Sequence, residues 1–464
     1  MFKNLLFGLL FISVIAQAKA QENSIQIKLN TDTLQEVLFA RYLLDKLYVV
    51  DTLTKTGTGE FLIEQKDTLP EGIYALAFNV DGGNSILQFC LDNSVSNYTF
   101  EIKDIKDPQG NLIVKGSPAA SALNDYMLYL KERSLEASTF PEDEKKAEKL
   151  AALTERVNAY QKEFVEQYKG TLPAAFVGAS MPIDIPEFSE IEDQNERNIA
   201  RWWYSKEHFF DYVDLQDDRL LYTPFLFNKI NEYFDKLTSP APDSINKSLK
   251  VVLDQMDPKS DLFRAYLSNF LTKYATSKII GYDEIYVFLA DEYYAKDFAY
   301  WIDEEKKAKI VDEANKIKPT LIGKIAPDIT LQNKAGEQIR LHEFESKYTV
   351  LLFWAPDCGH CKKSMPDIIE FYNKYKDQGV EILGICTKFH NDAEKCWDFV
   401  EEKGINIWEN TMDPYHRSRY KILYNINSTP QIFILDEKKE ILLKRIASEQ
   451  LDEVMQNLLE TPEG

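Results

Sequence analysis

The chain has 464 residues, too many for a single hydrophobic core, and its 75 acidic against 54 basic side chains leave a formal charge of -21. Such a surface repels phosphate backbones and anionic headgroups, which argues against nucleic acid or an anionic lipid surface as partner. Five cysteines over this length do not make a disulfide-stapled scaffold, so their positions matter more than their number.

Met1 to Ala20 carries one early positive charge at Lys3, an apolar run from Leu5 to Ala16, and small residues at Ala18 and Ala20. The run is shorter than the ~20 residues a spanning helix needs, so a cleaved export signal, cut before Gln21, is favoured over a membrane anchor. Cleavage leaves 444 of the 464 residues, and the charge falls from -21 to -23 because Lys3 and Lys19 depart. With no later stretch apolar enough to span a bilayer, the mature chain is expected to be soluble and periplasmic.

From residue 21 to about 118 the pattern predicts a small all-β domain. Short runs at Ser24 to Leu29, Gly59 to Glu64, Ile73 to Val80, Ile86 to Leu91, Tyr98 to Ile102 and Asn111 to Val114 are separated by Gly, Pro, Asn and Asp turns. Asp32 to Leu47 is read as including a helical turn or two, with Arg41, Asp45 and Lys46 as surface charge. Cys90 is read as a core residue.

After Gly116-Ser117-Pro118 the apolar period becomes that of helices, giving an all-helical domain over 119–318. Its many rings, among them Trp202, Trp203, Phe209, Phe210, Tyr293 and Trp301, are read as helix packing, with an aromatic ligand groove as the alternative. The stretch Asp184 to Glu196 holds six carboxylates but lacks the regular spacing of a cation loop, and is read as solvated. His208 and His342 suggest only packing or solvent contact.

The segment 319–464 reads as a mixed α/β domain. A hairpin around Asn333 to Gly336 precedes the wholly apolar run Val350 to Trp354, which has the character of an inner strand covered on both faces. A helix from Cys358 to about Lys376 follows, then a strand Val380 to Ile385, a helix Ala393 to Glu402, a helix near Pro414 to Leu423, strands Gln431 to Leu435 and Glu440 to Ile446, and a last helix.

Chemistry concentrates in Phe353-Trp354-Ala355-Pro356-Asp357-Cys358-Gly359-His360-Cys361. Two cysteines three apart at a helix start can close a small disulfide loop, and the first faces the unpaired amides of the opening turn. Those amides and the helix dipole favour thiolate, so Cys358 is the expected nucleophile and Cys361 the more buried resolving thiol. A protonated His360 would add to this effect and Asp357 would oppose it. Half of a zinc site is the competing reading, but no second close cysteine pair exists, and neither metal nor cofactor is expected. Cys386 and Cys396 read first as two lone buried thiols, with a mutual disulfide or a secondary relay as alternatives. His390 and His416 read as near-surface residues.

The string Trp354-Ala355-Pro356-Asp357-Cys358-Gly359-His360-Cys361, with Pro366 inside the next helix and Thr429-Pro430 before the strand Gln431 to Leu435, resembles the thioredoxin superfamily. The Gly323 to Asp328 lead-in and hairpin resemble its exported TlpA/ResA-like branch, and the earlier regions resemble the extra N-terminal parts of such proteins in the Bacteroidetes. The resemblance implies a thiol-disulfide oxidoreductase acting in cell redox homeostasis, with protein thiols or disulfides as partners and a membrane-derived electron donor. It implies Cys358 and Cys361 as the catalytic pair, with Gly359, His360, Trp354, Pro356 and Pro366 in support. Pro430 would be the cis-proline beside the disulfide, and Thr429 would offer backbone groups to substrate. Where relatives often carry a glutamate three residues after the second cysteine, this chain has Ser364, which leaves water or another group, such as Glu345 or Asp328, to assist Cys361. The Gly-His dipeptide is that of protein disulfide isomerases, and a cation beside Cys358 implies a potential between about -270 mV and about -120 mV. Reduction and isomerisation stay open as directions. A client-binding or chaperone-like envelope protein is the second reading, and a peroxidase the third.

Overall fold

The computed structural model describes residues 23–31, 33–65, 69–80 and 82–460. The segment read as an export signal lies outside them. An all-β N-terminal region, a largely helical middle and a mixed α/β C-terminal region follow one another along the chain. Contacts divide it into two compact units, Met1–Leu237 and Thr238–Gly464, so the helical stretch is shared between them.

In the first unit one sheet runs in the order β4 (Glu60–Gln65), β1 (Asn23–Leu29), β7 (Asn97–Ile102), β8 (Leu112–Lys115). The other runs β3 (Lys46–Thr54), β2 (Glu36–Leu43), β5 (Gly72–Val80), β6 (Gly83–Leu91). Phe89 of β6 meets Phe100 of β7 with ring centroids 4.1 Å apart, joining the apolar faces of the two sheets. The helical turns expected within Asp32 to Leu47 are a correction: β2 and β3 form a hairpin there, turning at Leu44 with φ 56°. Val37 and Phe39 are buried with exposed Leu38 between them, and pairing of β2 to both β3 and β5 outweighs any local helical preference. Arg41 is likewise not plain surface charge, since its guanidinium lies 4.4 Å from the centre of the Tyr222 ring.

The passage from strands to helices is tied by one buried carboxylate. Asp92 accepts from Tyr98 Oη at 2.7 Å and from Ser117 Oγ at 2.6 Å, while Ser117 accepts from the Ala120 amide and so caps α1 (Pro118–Ser138). Helices α2 (Lys146–Gln167), α3 (Leu172–Ala179), α4 (Gln194–Glu207) and α5 (Pro224–Leu237) complete the unit. Helix α3 escaped the sequence reading because Leu-Pro-Ala-Ala-Phe-Val-Gly-Ala shows no polar face to set a period. The rings mostly pack: Phe209 and Phe210 are buried against Tyr233, whereas Trp203 is exposed. Asp193 of the acidic stretch caps α4 by accepting from the Asn195 and Glu196 amides.

The second unit begins with α6 (Pro242–Leu253), α7 (Asp261–Ala275), α8 (Asp283–Leu289), which runs on into a π-helical turn to Tyr294, and α9 (Glu304–Ile317). A seven-stranded sheet follows, in the order β10 (Gln338–Arg340), β9 (Thr330–Asn333), β13 (Glu409–Met412), β12 (Val380–Cys386), β11 (Tyr348–Trp354), β14 (Gln431–Leu435), β15 (Ile441–Lys444). β11, β12 and β13 are parallel, and every residue of β11 is buried. Helices α10 (Gly359–Tyr375), α11 (Ala393–Lys403) and α13 (Leu451–Glu460) contribute to the core on one face, and the short α12 (Tyr420–Leu423) to that on the other. The helix expected from Pro414 shrinks to this single turn, because Asp413 accepts from the Arg417 and Ser418 amides and holds the preceding residues in a turn. Ile405 to Ile407 is not a strand despite its alternating pattern, and the strand that follows α11 is β13.

Gly384 sits where this core leaves no room for a side chain. A β-carbon there would stand 2.7 Å from Asn410 Oδ1, 3.1 Å from Trp408 Nε1 and 3.4 Å from Trp354 Nε1. Asn410 cannot yield freely, since its amide donates to the Ile405 and Trp408 carbonyls and its oxygen accepts from Trp408. Gly384→Ala is expected to cost about 1–3 kcal/mol by overpacking, read as a lower urea midpoint for the transition followed by Trp fluorescence. An unchanged midpoint would show that the asparagine gives way.

Candidate functional site

The central strand β11 delivers the Cys-Gly-His-Cys string to the C-terminal edge of the parallel strands, where α10 begins. Trp354 at the end of β11 is fully buried and stacks on Phe399 of α11, with ring centroids 5.0 Å apart. Its carbonyl accepts from both the amide and the hydroxyl of Thr387. Pro356 is half-buried, Gly359 and His360 are exposed, and Pro366 lies inside α10 on its exposed side.

Cys358 is the N-cap of α10. Its sulfur accepts from the Cys361 amide at 3.4 Å and, as a thiol, donates to the Thr429 carbonyl at 3.1 Å. Partial burial raises its pKa, but hydrogen bonds from the Thr429 side chain and the Cys361 and His360 amides outweigh that and hold the thiol below its ordinary value. One turn on, Cys361 is fully buried, and desolvation pushes its thiol up to about 11, with the neighbouring Cys358 adding to the rise. The Thr429–Pro430 bond is cis, and the Thr429 carbonyl is the group of this loop that meets the sulfur.

Two further features surround the pair, the first unseen in the sequence and the second held there only as an alternative. Lys388 Nζ lies 2.6 Å from Asp357 Oδ2, so the carboxylate that was expected to oppose the thiolate is offset by a cation, whose hydrogen bond holds the Asp357 pKa below the carboxylate range. The two are 31 residues apart, and only the parallel pairing of β11 with β12 brings them together. Cys386 and Cys396 form a disulfide, correcting the reading of two lone thiols. Cys386 lies opposite Trp354 in the sheet, and the bridge closes the loop that carries Lys388. Cys90, Cys358 and Cys361 are free, and Cys90 is buried in the β region.

Other sequence candidates fall elsewhere. The groups acting on Cys361 are the Ala355 backbone, the Thr429 side chain and Cys358, and neither Asp328 nor Glu345 is among them. Asp328 accepts from Arg340 and the His342 amide instead. His416 packs on Phe389 and His390 on Tyr415, both pairs on exposed loops beyond Lys388. Between His360, the cis-proline loop and the start of α13 lies an open polar cleft of about 630 Å³. Among the described residues no group of three or more His, Cys, Asp or Glu is placed to hold a metal ion, and no helix is long and apolar enough to cross a membrane.

Residues 322–443 match the AhpC/TSA family, and residues 143–323 match a domain family of unknown function, DUF5106. The thiol-disulfide oxidoreductase ResA of Bacillus anthracis is 30% identical over 141 residues, covering 30% of this chain and 76% of the relative. ResA of Geobacillus kaustophilus is 29% identical over 141 residues, covering 30% and 78%. The solved thioredoxin domain of a Bacteroides vulgatus thiol-disulfide oxidoreductase is 26% identical, covers 30% of this chain and 98% of its own, and superposes with a TM-score of 0.28. The chain thus belongs to the ResA-like thiol-disulfide oxidoreductases of the thioredoxin superfamily, with additional N-terminal β and middle helical regions.

Proposed function

We propose that the enzyme exchanges disulfides with protein thiols in the periplasm through Cys358 and Cys361. The carrying observation is the contrast across one helical turn: an accessible sulfur with a lowered pKa beside a buried one raised to about 11. The Cys358 thiolate attacks a substrate disulfide, forming a mixed disulfide and expelling one substrate thiolate. Cys361, once deprotonated, then attacks Cys358 Sγ, releasing the second substrate thiolate and leaving the Cys358–Cys361 disulfide. Two electrons pass from the pair to the substrate, and the reverse sequence oxidises a dithiol. Consuming the Cys358 thiolate removes one of the influences that hold the Cys361 pKa up, so resolution becomes easier only after the mixed disulfide exists.

His360 borders the cleft and adds a cation there when protonated, while Thr429, whose carbonyl meets the sulfur, and the cis Pro430 line the same cleft and would offer backbone groups to a substrate strand. Packing consumes most of the helical rings, which favours exchange over a client-binding role for that region. An electron donor at the membrane is required if net flux is reductive, because cytosolic thioredoxin does not reach this compartment.

With the pair reduced, iodoacetamide at pH 7 is expected to modify Cys358 and spare Cys361. Because the Cys358 pKa is depressed, its thiolate is present above that pKa and is lost as pH falls through it. The midpoint of the rise of alkylation rate with pH should therefore lie below pH 9.0, the ordinary thiol value. A midpoint at or above pH 9.0 would contradict the assignment.

Lys388→Gln leaves Asp357 unpaired beside the sulfur and should slow alkylation at pH 7 about twofold, the effect of an exposed ion pair. An unchanged rate would mean that solvent already screens Asp357. Equilibration of the pair against glutathione is expected to give a potential between about -270 and about -120 mV, with Cys358→Ser as control. Absence of any reversible two-electron couple in the wild type would remove the proposed role.

A further inference from the structure

We propose that the cleft beside the cis-proline loop holds a carboxylate-recognising subsite, in which Arg445 and Gln431 select protein disulfides bearing an acidic side chain near the cysteine under attack. The inference rests on the exchange reading above and names the class of substrate that the same site prefers.

Two consecutive cations are dealt with differently at the end of β15. Lys444 is 3% exposed, and its ammonium pairs with Asp283 of α8 at 2.5 Å and donates to the Thr320 carbonyl at 2.6 Å. Arg445 follows with a left-handed φ of 56°, its amide donating to the Ile432 carbonyl at 2.8 Å. The backbone is thus fixed on both sides of the turn, and Arg445 lines the cleft. Its guanidinium has no ion pair or hydrogen bond among the described residues, although the chain carries an excess of carboxylates.

Gln431 supplies the second observation. It directly follows Pro430, sits opposite Phe353 in the sheet register and lines the same cleft, where its side-chain amide makes no hydrogen bond among the described residues and stands open to an incoming group. The neighbouring wall is already held in place, because Asn427 donates to Asn425, which donates to Glu313 of α9.

A substrate strand lying along Thr429 and Pro430 would place a side chain between these groups. A carboxylate suits them, since the planar guanidinium pairs with it in a two-pronged fashion while the Gln431 amide donates a further hydrogen bond. Glu449 is the one carboxylate lining the cleft, and it makes no ion pair with Arg445. Were Glu449 the dominant charge, basic substrates would be preferred instead.

The test uses the reduced mature protein in single-turnover reduction of three peptide disulfides. These are identical except for Asp, Asn or Lys two residues from the cysteine, and the experiment runs at 0.15 M salt, where the global negative field is largely screened. The wild type should reduce the Asp peptide about three- to fivefold faster than the Lys peptide. The ratio should fall to near one in Arg445→Gln, invert in Arg445→Glu and persist in Arg445→Lys. Because each ratio is taken within one protein, a general loss of activity does not imitate the effect.

An unchanged ratio in Arg445→Gln, a wild-type preference for the Lys peptide, or equal rates for all three peptides would overturn the subsite. Reduction of neutral 2,2′-dithiodipyridine by the wild type separates the two levels. Turnover of it without discrimination among peptides removes the subsite alone, while failure to turn over it or any peptide removes the exchange reading and the subsite together.

Discussion

The site depends on one interaction, the contact between the Cys358 sulfur and the opening turn of α10. The first amides of any helix lack partners within it, and here the Cys361 amide finds one in the thiol three residues earlier. That bond fixes the direction of the sulfur, supplies part of the stabilisation of its anion and keeps the second cysteine one turn deeper in the core. Partial burial works against the thiolate and the surrounding donors work for it, and their balance lowers the pKa of one thiol while burial raises that of the other. Everything else in the C-terminal region holds this turn still: a strand buried along its whole length, a tryptophan stacked on α11, and a disulfide closing the next loop.

Within the second unit the helices reach the site through polar contacts. Lys444 spends its charge on Asp283, and burial lowers its pKa, so the pair survives only because the geometry returns what desolvation removes. Glu313 of α9 holds Asn425 in the same way on another wall of the cleft. The Cys-Gly-His-Cys string belongs to the C-terminal sheet, whereas the groove near it is also braced by residues from α8 and α9. This gives the helical segment a role in the site that requires no chemistry of its own.

The sequence was most legible where a residue's role is local. The apolar β11, the paired cysteines and the prolines announce themselves within a few positions, because strand burial, helix capping and turn chemistry act over that range. Elements that failed to appear depend on distant partners. β2 becomes a strand because β3 and β5 pair with it, and α3 is too uniformly apolar to show a period. Lys388 comes to Asp357 only through the sheet, and the disulfide reading of Cys386 and Cys396 prevails over two lone thiols because both lie in one core. Gln431 and Arg445 are ordinary polar residues in the sequence. Their significance comes from lacking partners inside a cleft, which no pattern of residue types can record.

Ser364, standing where relatives often carry a glutamate, shifts the burden of resolving the mixed disulfide. A nearby carboxylate could take the Cys361 proton, yet its charge would also hold that thiol's pKa up by like-charge repulsion. Without it, the causes that keep Cys361 protonated are chiefly burial and the Cys358 anion, and the second vanishes when Cys358 becomes part of a mixed disulfide. Lys388 has already offset Asp357, leaving little other negative charge beside the pair. In the proposed exchange the order of events is therefore built into the electrostatics: the Cys361 thiol is suppressed while Cys358 is free and released once Cys358 is committed. A base is not needed to set that order, although one would hasten the final proton transfer.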